Sequence, residues 1–233
     1  MRLLVVGHGR MGRLVEALAP GYGFELAGVL DRASNAAGAG ATRERCAGVS
    51  VAVDFSTAEA TLQTAALLAA HGVSLVVGTT GWQDRESELR DAVARAAVGA
   101  VVAPNFSLGA NVMEALSESA GRMLAGAEAY GAFIHEAHHS AKKDAPSGTA
   151  LGLRRAVERG GYPRAIDVSS TRAGFIPGTH TVGFDGQAET LELVHTVRDR
   201  ATFAHGALAA ARWVVGRVGW FTMRDVLGLS VRN

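Results

Sequence analysis

The sequence holds a single cysteine, Cys46, in 233 residues. That excludes an internal disulfide framework and fits a reducing compartment. Cys46 itself reads as a small buried or semi-buried residue, not a nucleophile. Charge of one sign is also lacking: 23 lysines and arginines against 22 aspartates and glutamates leave a formal net charge of +1. No basic excess is available to meet a nucleic acid. Long apolar runs are absent too, the stretch Ala65–Ala70 falling far short of the ~18 residues a membrane span needs. The opening run Met1–Val6 is too short for the core of a secretion signal. The expected location is the cytoplasm, with no membrane and no nucleic acid as partner. No repeat or low-complexity tract stands out, apart from an Ala/Gly bias around residues 36–41. What remains is an ordinary globular composition, 48% hydrophobic and 19% charged.

Up to about residue 106 the pattern alternates between short apolar runs and helical periodicity. Strands are expected at Leu3–Val6, Phe24–Leu30, Val49–Phe55, Val73–Val77 and Ala100–Ala103. Helices are expected at Arg10–Leu18, Glu59–His71 and Glu86–Ala97, with Gly72 closing the second. Strand and helix in alternation imply parallel pairing with right-handed crossovers, an α/β doubly wound Rossmann-like sheet. After Asn105 the pattern changes. A helix at Asn111–Leu124, a strand at Tyr130–Ala137 and a loop and helix over Ala145–Gly161 precede strands at Val168–Arg172, Thr179–Phe184 and Glu189–Val197. Short turns between those strands predict antiparallel pairing. A last helix at Ala204–Val215 returns to the alanine-rich pattern. The expected division is 1–106 plus 205–233 as one domain, with an α+β domain at 107–204 inserted into it.

The turn Gly7-His8-Gly9-Arg10-Met11-Gly12 follows the first strand and opens the first helix. A first glycine permits the tight turn, a second lets a diphosphate approach the backbone, and a third lets helix and strand pack closely. The helix N-terminus, partly positive, then holds the diphosphate. An acidic residue is expected about 20 residues on, at the end of the second strand, to accept from the ribose hydroxyls. Asp31 stands there and favours NADH. Arg32 beside it offers a partner to a 2′-phosphate, so NADPH stays open. The loops Gly78-Thr79-Thr80-Gly81 and Ala103-Pro104-Asn105-Phe106 follow later strands, where ligands of open α/β sheets lie.

The densest polar stretch is His135 to Thr149. It contains H-E-x-x-H at His135, Glu136 and His139, a zinc-protease pattern that works only on a helix. Ala132-Phe133-Ile134 before it reads as a strand, which would hold those histidines about 13 Å apart. No metal site is expected. Histidine and lysine together suit proton transfer, and Pro146 with Ser147-Gly148-Thr149 marks a helix start whose N–H groups suit a carboxylate. A plain helix cap beside surface histidines is the competing reading.

The stretch Glu136-Ala137-His138-His139-x-x-Lys142-x-Asp144-Ala145-Pro146-Ser147-Gly148-Thr149-Ala150 resembles the signature of the dihydrodipicolinate (4-hydroxy-tetrahydrodipicolinate) reductase family. Family-like stretches also occur at Val53–Ser56, Gly78–Gly81, Ala103–Ser107, Arg172-Ala173-Gly174 with Gly178-x-His180, and Phe203–Ala207. The resemblance implies an NADH- or NADPH-dependent reductase of the diaminopimelate route to lysine. A dinucleotide-binding domain would be built from both termini, around a central substrate and tetramerisation domain. It implies His138 as proton donor and acceptor, Lys142 as proton donor, and His139, Ser147, Gly148 and Thr149 as holders of a small dicarboxylate substrate. It implies a homotetramer. Two departures stand out: the glycine turn is one residue shorter than the family often has, and the segment from Asp31 to Asp54 is short. An aspartate- or homoserine-type dehydrogenase, or a dinucleotide-sensing regulator, would share the glycine turn without needing the histidine segment.

Overall fold

The computed structural model describes residues 1–229. Along the chain, β1 (Arg2–Val6) leads through the glycine turn into α1 (Arg10–Leu18), then β2 (Glu25–Leu30), a one-turn helix α2 (Arg43–Cys46) and β3 (Val51–Asp54). Helix α3 (Ala58–Ala70), β4 (Ser74–Val77), α4 (Glu86–Ala96) and β5 (Gly99–Val102) continue the alternation. Next come α5 (Leu108–Met123), β6 (Gly131–His138), α6 (Gly148–Arg159), β7 (Ile166–Arg172), β8 (Thr179–Asp185) and β9 (Thr190–Thr196). The described chain ends with α7 (Ala201–Val214), β10 (Gly219–Phe221) and α8 (Met223–Val226). By compactness it divides into two units, Met1–Ser107 with the segment from Ala201 onward, and Leu108–Arg200.

In the first unit six strands pair in the order β10-β5-β4-β3-β1-β2, all parallel. Successive strand residues face opposite sides. Leu4, Val6, Leu75 and Val77 therefore meet α3 and α4 through Leu62, Leu68, Leu89 and Val93. Leu3, Val5, Val53 and Val76 meet α1 and α7 through Val15, Ala207, Leu208 and Ala211. Both faces are covered, which is why these strands read as unbroken apolar runs. At roughly 1.5–3 kcal/mol for each buried Val or Leu side chain, this two-faced burial dominates the unit's stability. Short polar devices fix the entries: Thr57 caps α3 by accepting from Ala60 N at 3.4 Å, and Asn35 ties its loop to Thr64 of α3 at 2.8 Å.

The second unit is a four-stranded sheet, β7-β6-β8-β9, with α5 and α6 on one face. The antiparallel expectation for its strand-rich block needs correcting. Strands β8 and β9 form a hairpin and β6 pairs antiparallel with β8, but β7 runs parallel to β6 and does not touch β8. The reason is α6, which makes β6-α6-β7 a crossover unit, and crossovers return strands parallel. Along β6 the helix-facing positions change character: Ala132 and Ile134 join Met113, Leu153, Val182 and Phe184 in the core, while Glu136 and His138 follow on the same face. The apolar half of the strand holds the unit together and the polar half opens a site. Strand β10 and helix α8, absent from the sequence expectation, are too short to generate a periodic signal.

Candidate active site

In the first unit the glycine turn, Asp31-Arg32, Gly78-Thr79-Thr80 and Ala103–Phe106 all follow the carboxyl ends of the parallel strands β1, β2, β4 and β5. The three glycines are not equivalent. Gly7 has φ of +86° and a Cβ there would lie 2.6 Å from Phe55 O; a Cβ on Gly12 would lie 1.9 Å from Gly7 O. The fold alone demands both. At Gly9 nothing among the described residues lies within 4 Å of that position. Gly9 also caps α1 without any side-chain hydrogen bond, and the first helical turn carries no acidic residue. An uncapped, positive helix end with room for close approach at Gly9 is the arrangement a diphosphate fits.

The neighbouring groups are more committed than the sequence suggests. His8 Nε2 pairs with Glu16 at 2.8 Å, beside the half-buried Met11 and the exposed Arg10. Asp31 Oδ1 accepts from Ala33 N, Ser34 N and Ser34 Oγ at 3.1, 2.8 and 2.7 Å, and the Ser34 bonds hold its pKa below the usual aspartate value. Arg32 is exposed. The Phe106 ring is buried in the core against Phe55, while Pro104 is exposed and Asn105 Oδ1 accepts from Ser107 N at 2.8 Å. Sequence reasoning missed Asp54 as a site-building residue. Fully buried at the end of β3, it accepts from Ser56 N at 2.8 Å and Thr79 Oγ1 at 3.1 Å, joining two strand-end loops. Burial pushes its pKa up.

In the second unit the site grows from the end of β6 and the start of α6. Glu136, wholly buried, and His138 lie on the helix-facing side, and a short hydrogen bond joins Glu136 Oε2 to His138 Nδ1. Register places Ser170 and His180 level with Glu136, and Arg172 level with His138. Arg172 donates to both Glu136 oxygens, Nη2 to Oε1 at 2.6 Å and Nη1 to Oε2 at 3.0 Å. Ser147 N donates to Glu136 Oε1 at 3.2 Å, Ser147 Oγ caps α6 from Ala150 N at 3.2 Å, and His180 Nε2 meets the same hydroxyl at 3.0 Å. The His180 ring stands edge-on to His138, centroids 5.1 Å apart. Lys142 Nζ binds Asp144 at 2.8 Å.

The charges follow from these contacts. Burial pushes the Glu136 carboxyl up, but hydrogen bonds from Arg172, Ser170 and His138 together hold it down at about 2. His138 lies below the usual histidine value because burial, Lys142 and Arg172 together outweigh Glu136. Burial, with the charge of His138, takes His180 down to about 4. At neutral pH the geometry thus presents neutral imidazoles beside cationic Lys142 and Arg172.

Of the predicted residues, the structure gathers His138, Lys142 and Ser147 into this one cluster, with Gly148 and Thr149 in the first turn of α6 and half-buried His139 just beyond β6. The metal-like pattern dissolves: His135 faces the other side of the sheet and meets Ser169 Oγ at 3.0 Å. Glu136, His138 and His180 do have ligand atoms within 4.8 Å of one another, yet the Arg172 guanidinium already balances that carboxylate. Glu136, Arg172 and His180 were missed as site residues, although each stands in a motif stretch quoted above.

Models of the two halves of dihydrodipicolinate reductase match this chain, the N-terminal model over residues 1–106 and the C-terminal model over 109–227. The 4-hydroxy-tetrahydrodipicolinate reductase of Thiobacillus denitrificans is 41% identical, with 99% of each chain covered. The chain belongs to the dihydrodipicolinate reductase family. The enzyme of the same name from Laribacter hongkongensis is 39% identical over 98% of each chain. A dipicolinate-bound dihydrodipicolinate reductase from Paenisporosarcina sp. TG-14 shares the fold, with a TM-score of 0.79 at 21% identity, covering 97% of this chain and 98% of that one. As a reductase of this family the protein is an oxidoreductase of the diaminopimelate route to lysine, reducing 4-hydroxy-tetrahydrodipicolinate to tetrahydrodipicolinate with a pyridine nucleotide. Among the described residues no helix is long and apolar enough to cross a membrane.

Proposed function

We propose that the β6–α6 cluster is the reducing centre, with His138 and Lys142 managing the proton and His139, Ser147, Gly148 and Thr149 holding the substrate's two carboxylates. The observation that carries this is the placement of His138. A buried carboxylate orients its ring next to the N-terminus of α6, where Ser147 is already fixed as cap. Helix N–H groups and a cationic Lys142 suit a dicarboxylate, and the Paenisporosarcina enzyme is named with dipicolinate bound.

The pyridine nucleotide supplies hydride, and the turn Gly7–Gly12, Asp31, Arg32, Gly78–Thr80 and Ala103–Phe106 would hold it. Open space at Gly9 and the uncapped start of α1 support that fit. NADH is the favoured form because Asp31 is ionised and held in place, and Arg32 leaves NADPH usable. The protein's own part is then the proton. Lys142 donates to the ring atom left anionic by hydride addition, and His138, neutral with Nδ1 turned to Glu136, takes or returns a proton at Nε2. Two further readings belong to this proposal: assembly as a homotetramer through the second unit, which the family resemblance implies, and a cytoplasmic location.

The test is oxidation of NADH or NADPH by the purified chain with freshly made dihydrodipicolinate synthase product. Turnover that falls sharply in His138→Ala and Lys142→Ala, with nucleotide binding retained, supports the assignment. Folded protein without turnover would sink it.

A further inference from the structure

We infer that the buried Glu136–Arg172 pair is a positioning device for His138, in which Glu136 fixes the ring's tautomer and Arg172 cancels the charge that would lock the ring as an imidazolium. The inference rests on the reading of His138 as the group that exchanges the proton.

A carboxylate hydrogen-bonded to an imidazole ordinarily favours the charged ring. Glu136 is such a carboxylate, wholly buried and bonded to Nδ1. A permanently protonated His138 would be unable to accept a proton, so something must offset that pull. Burial of the ring supplies most of that offset, and Arg172 adds to it from β7 with a donor on each Glu136 oxygen, which takes up the carboxylate's charge. Its Nη2 also donates to Asp144 O at 2.6 Å, and Nη1 to Thr171 O at 2.8 Å, so the guanidinium is braced from both sides. Its Nε is buried with no hydrogen-bond partner among the described residues. The group is therefore aimed at Glu136 at the expense of its own hydrogen bonding.

Among the described residues, the other charged or titratable neighbours are neutral, add positive charge, or are anions already paired. From β8, His180 stands edge-on and uncharged at neutral pH. Lys142, on the loop after β6, adds positive charge, and the nearby Asp144 is spent on Lys142. His195 of β9 lies one strand further, level with His180. The far edge of the ring is bounded by Gly178, where a Cβ would lie 3.2 Å from His138 Cδ2 and Nε2. With Nδ1 bound to Glu136, Nε2 is left as the working atom. The result agrees with the lowered pKa of His138 despite its carboxylate partner.

The test is nitrogen-15 NMR of the histidines in the full-length chain, with His138 assigned by its loss in His138→Gln. In the wild type the neutral ring should carry its proton on Nδ1; a proton on Nε2 would overturn the inference. In Arg172→Met the proton affinity of His138 should rise about tenfold, and the acidic limb of kcat should move up with it. Arg172→Lys, which keeps the charge, should shift it much less. Where Arg172→Met does not fold, the charge-neutral pair Glu136→Leu with Arg172→Met, which removes the acceptor as well as both charges, decides. Its His138 should titrate near the wild-type value but lose the Nδ1–H preference. Unchanged titration in a folded Arg172→Met, or an unaltered tautomer in the double variant, would refute the device. If instead His138→Gln retains turnover while these titrations shift as expected, the proton-transfer reading fails and the coupling stands.

Discussion

The glycine turn after β1 presents an uncapped helix start with room for close approach at Gly9, whereas the end of β6 presents side chains that are buried and mutually bonded. The first kind of centre is cheap to specify, since three glycines and a helix start suffice, and for that reason it identifies no particular reaction. The second needs Glu136, His138, Arg172, Ser147 and His180 from four elements in one register. Chemistry that depends on a correctly protonated group requires that second kind of construction.

The largest separation between the two should appear on removing the proton-handling groups. His138→Ala and Lys142→Ala should lower kcat by about 10²-fold or more while the dissociation constant for NADH stays within a few-fold. Loss of nucleotide binding in either variant would erase the distinction drawn here.

Acid should also act on the second centre first. His180 has a folded pKa of about 4 against an ordinary value of 6.5, so below pH 6.5 the unfolded chain binds the extra proton. The stability that neutral His180 contributes is fully present above pH 6.5 and is lost as pH falls toward 4, by up to about 3 kcal/mol. Glu136 behaves as a depressed carboxylate: its contribution is present above pH 4.5 and lost as pH falls toward about 2. A thermal-unfolding series from pH 7 to 4 should therefore slope downward, and His180→Gln should flatten it. An equal slope in that variant would assign the loss elsewhere.

Within the glycine turn, the three positions should divide stability from binding. Gly12→Ala places a Cβ 1.9 Å from Gly7 O, which should cost about 1–3 kcal/mol as the turn shifts and take nucleotide affinity with it. Gly9→Ala meets nothing within 4 Å. Its melting temperature should stay put while NADH binding weakens by about tenfold, because the added methyl occupies the approach to the backbone. A destabilised Gly9→Ala with normal binding would show the space to be structural.

These contrasts also explain what the sequence could reveal. The parallel sheet was legible because two-faced burial leaves runs such as Leu3–Val6 and Leu75–Val77 unmistakably apolar. The pairing of β7 was not, since turn length says nothing about which neighbour a strand chooses once α6 intervenes. His138, Lys142 and Ser147 stood out as a contiguous polar stretch. Arg172 and His180 lie 34 and 42 positions beyond His138 and reach Glu136 and Ser147 only through strand register. Asp54 looked like the end of an apolar strand, and only its burial and the bonds to Ser56 and Thr79 show it joining two loops.

The smallest effect tests how far the backbone-built centre discriminates. Asp31 is the one side chain there with a clear preference to express. Its Oδ1 is spent on Ser34 and Ala33, which orients the carboxylate. An ionised group so placed accepts from a ribose hydroxyl and repels a 2′-phosphate, while the adjacent Arg32 attracts one. Asp31→Ala should then weaken NADH by about 3–10-fold, the worth of one hydrogen bond, and leave NADPH binding unchanged or tighter as the repulsion is relieved. Because that substitution also releases the Ser34 turn, Ser34→Ala is the control: it removes the two bonds through Ser34 Oγ while the carboxylate and its backbone donors stay, and should move the NADH to NADPH affinity ratio less. Equal weakening of both nucleotides by Asp31→Ala would mean that the residue serves only the turn, and that preference is set elsewhere along the strand ends.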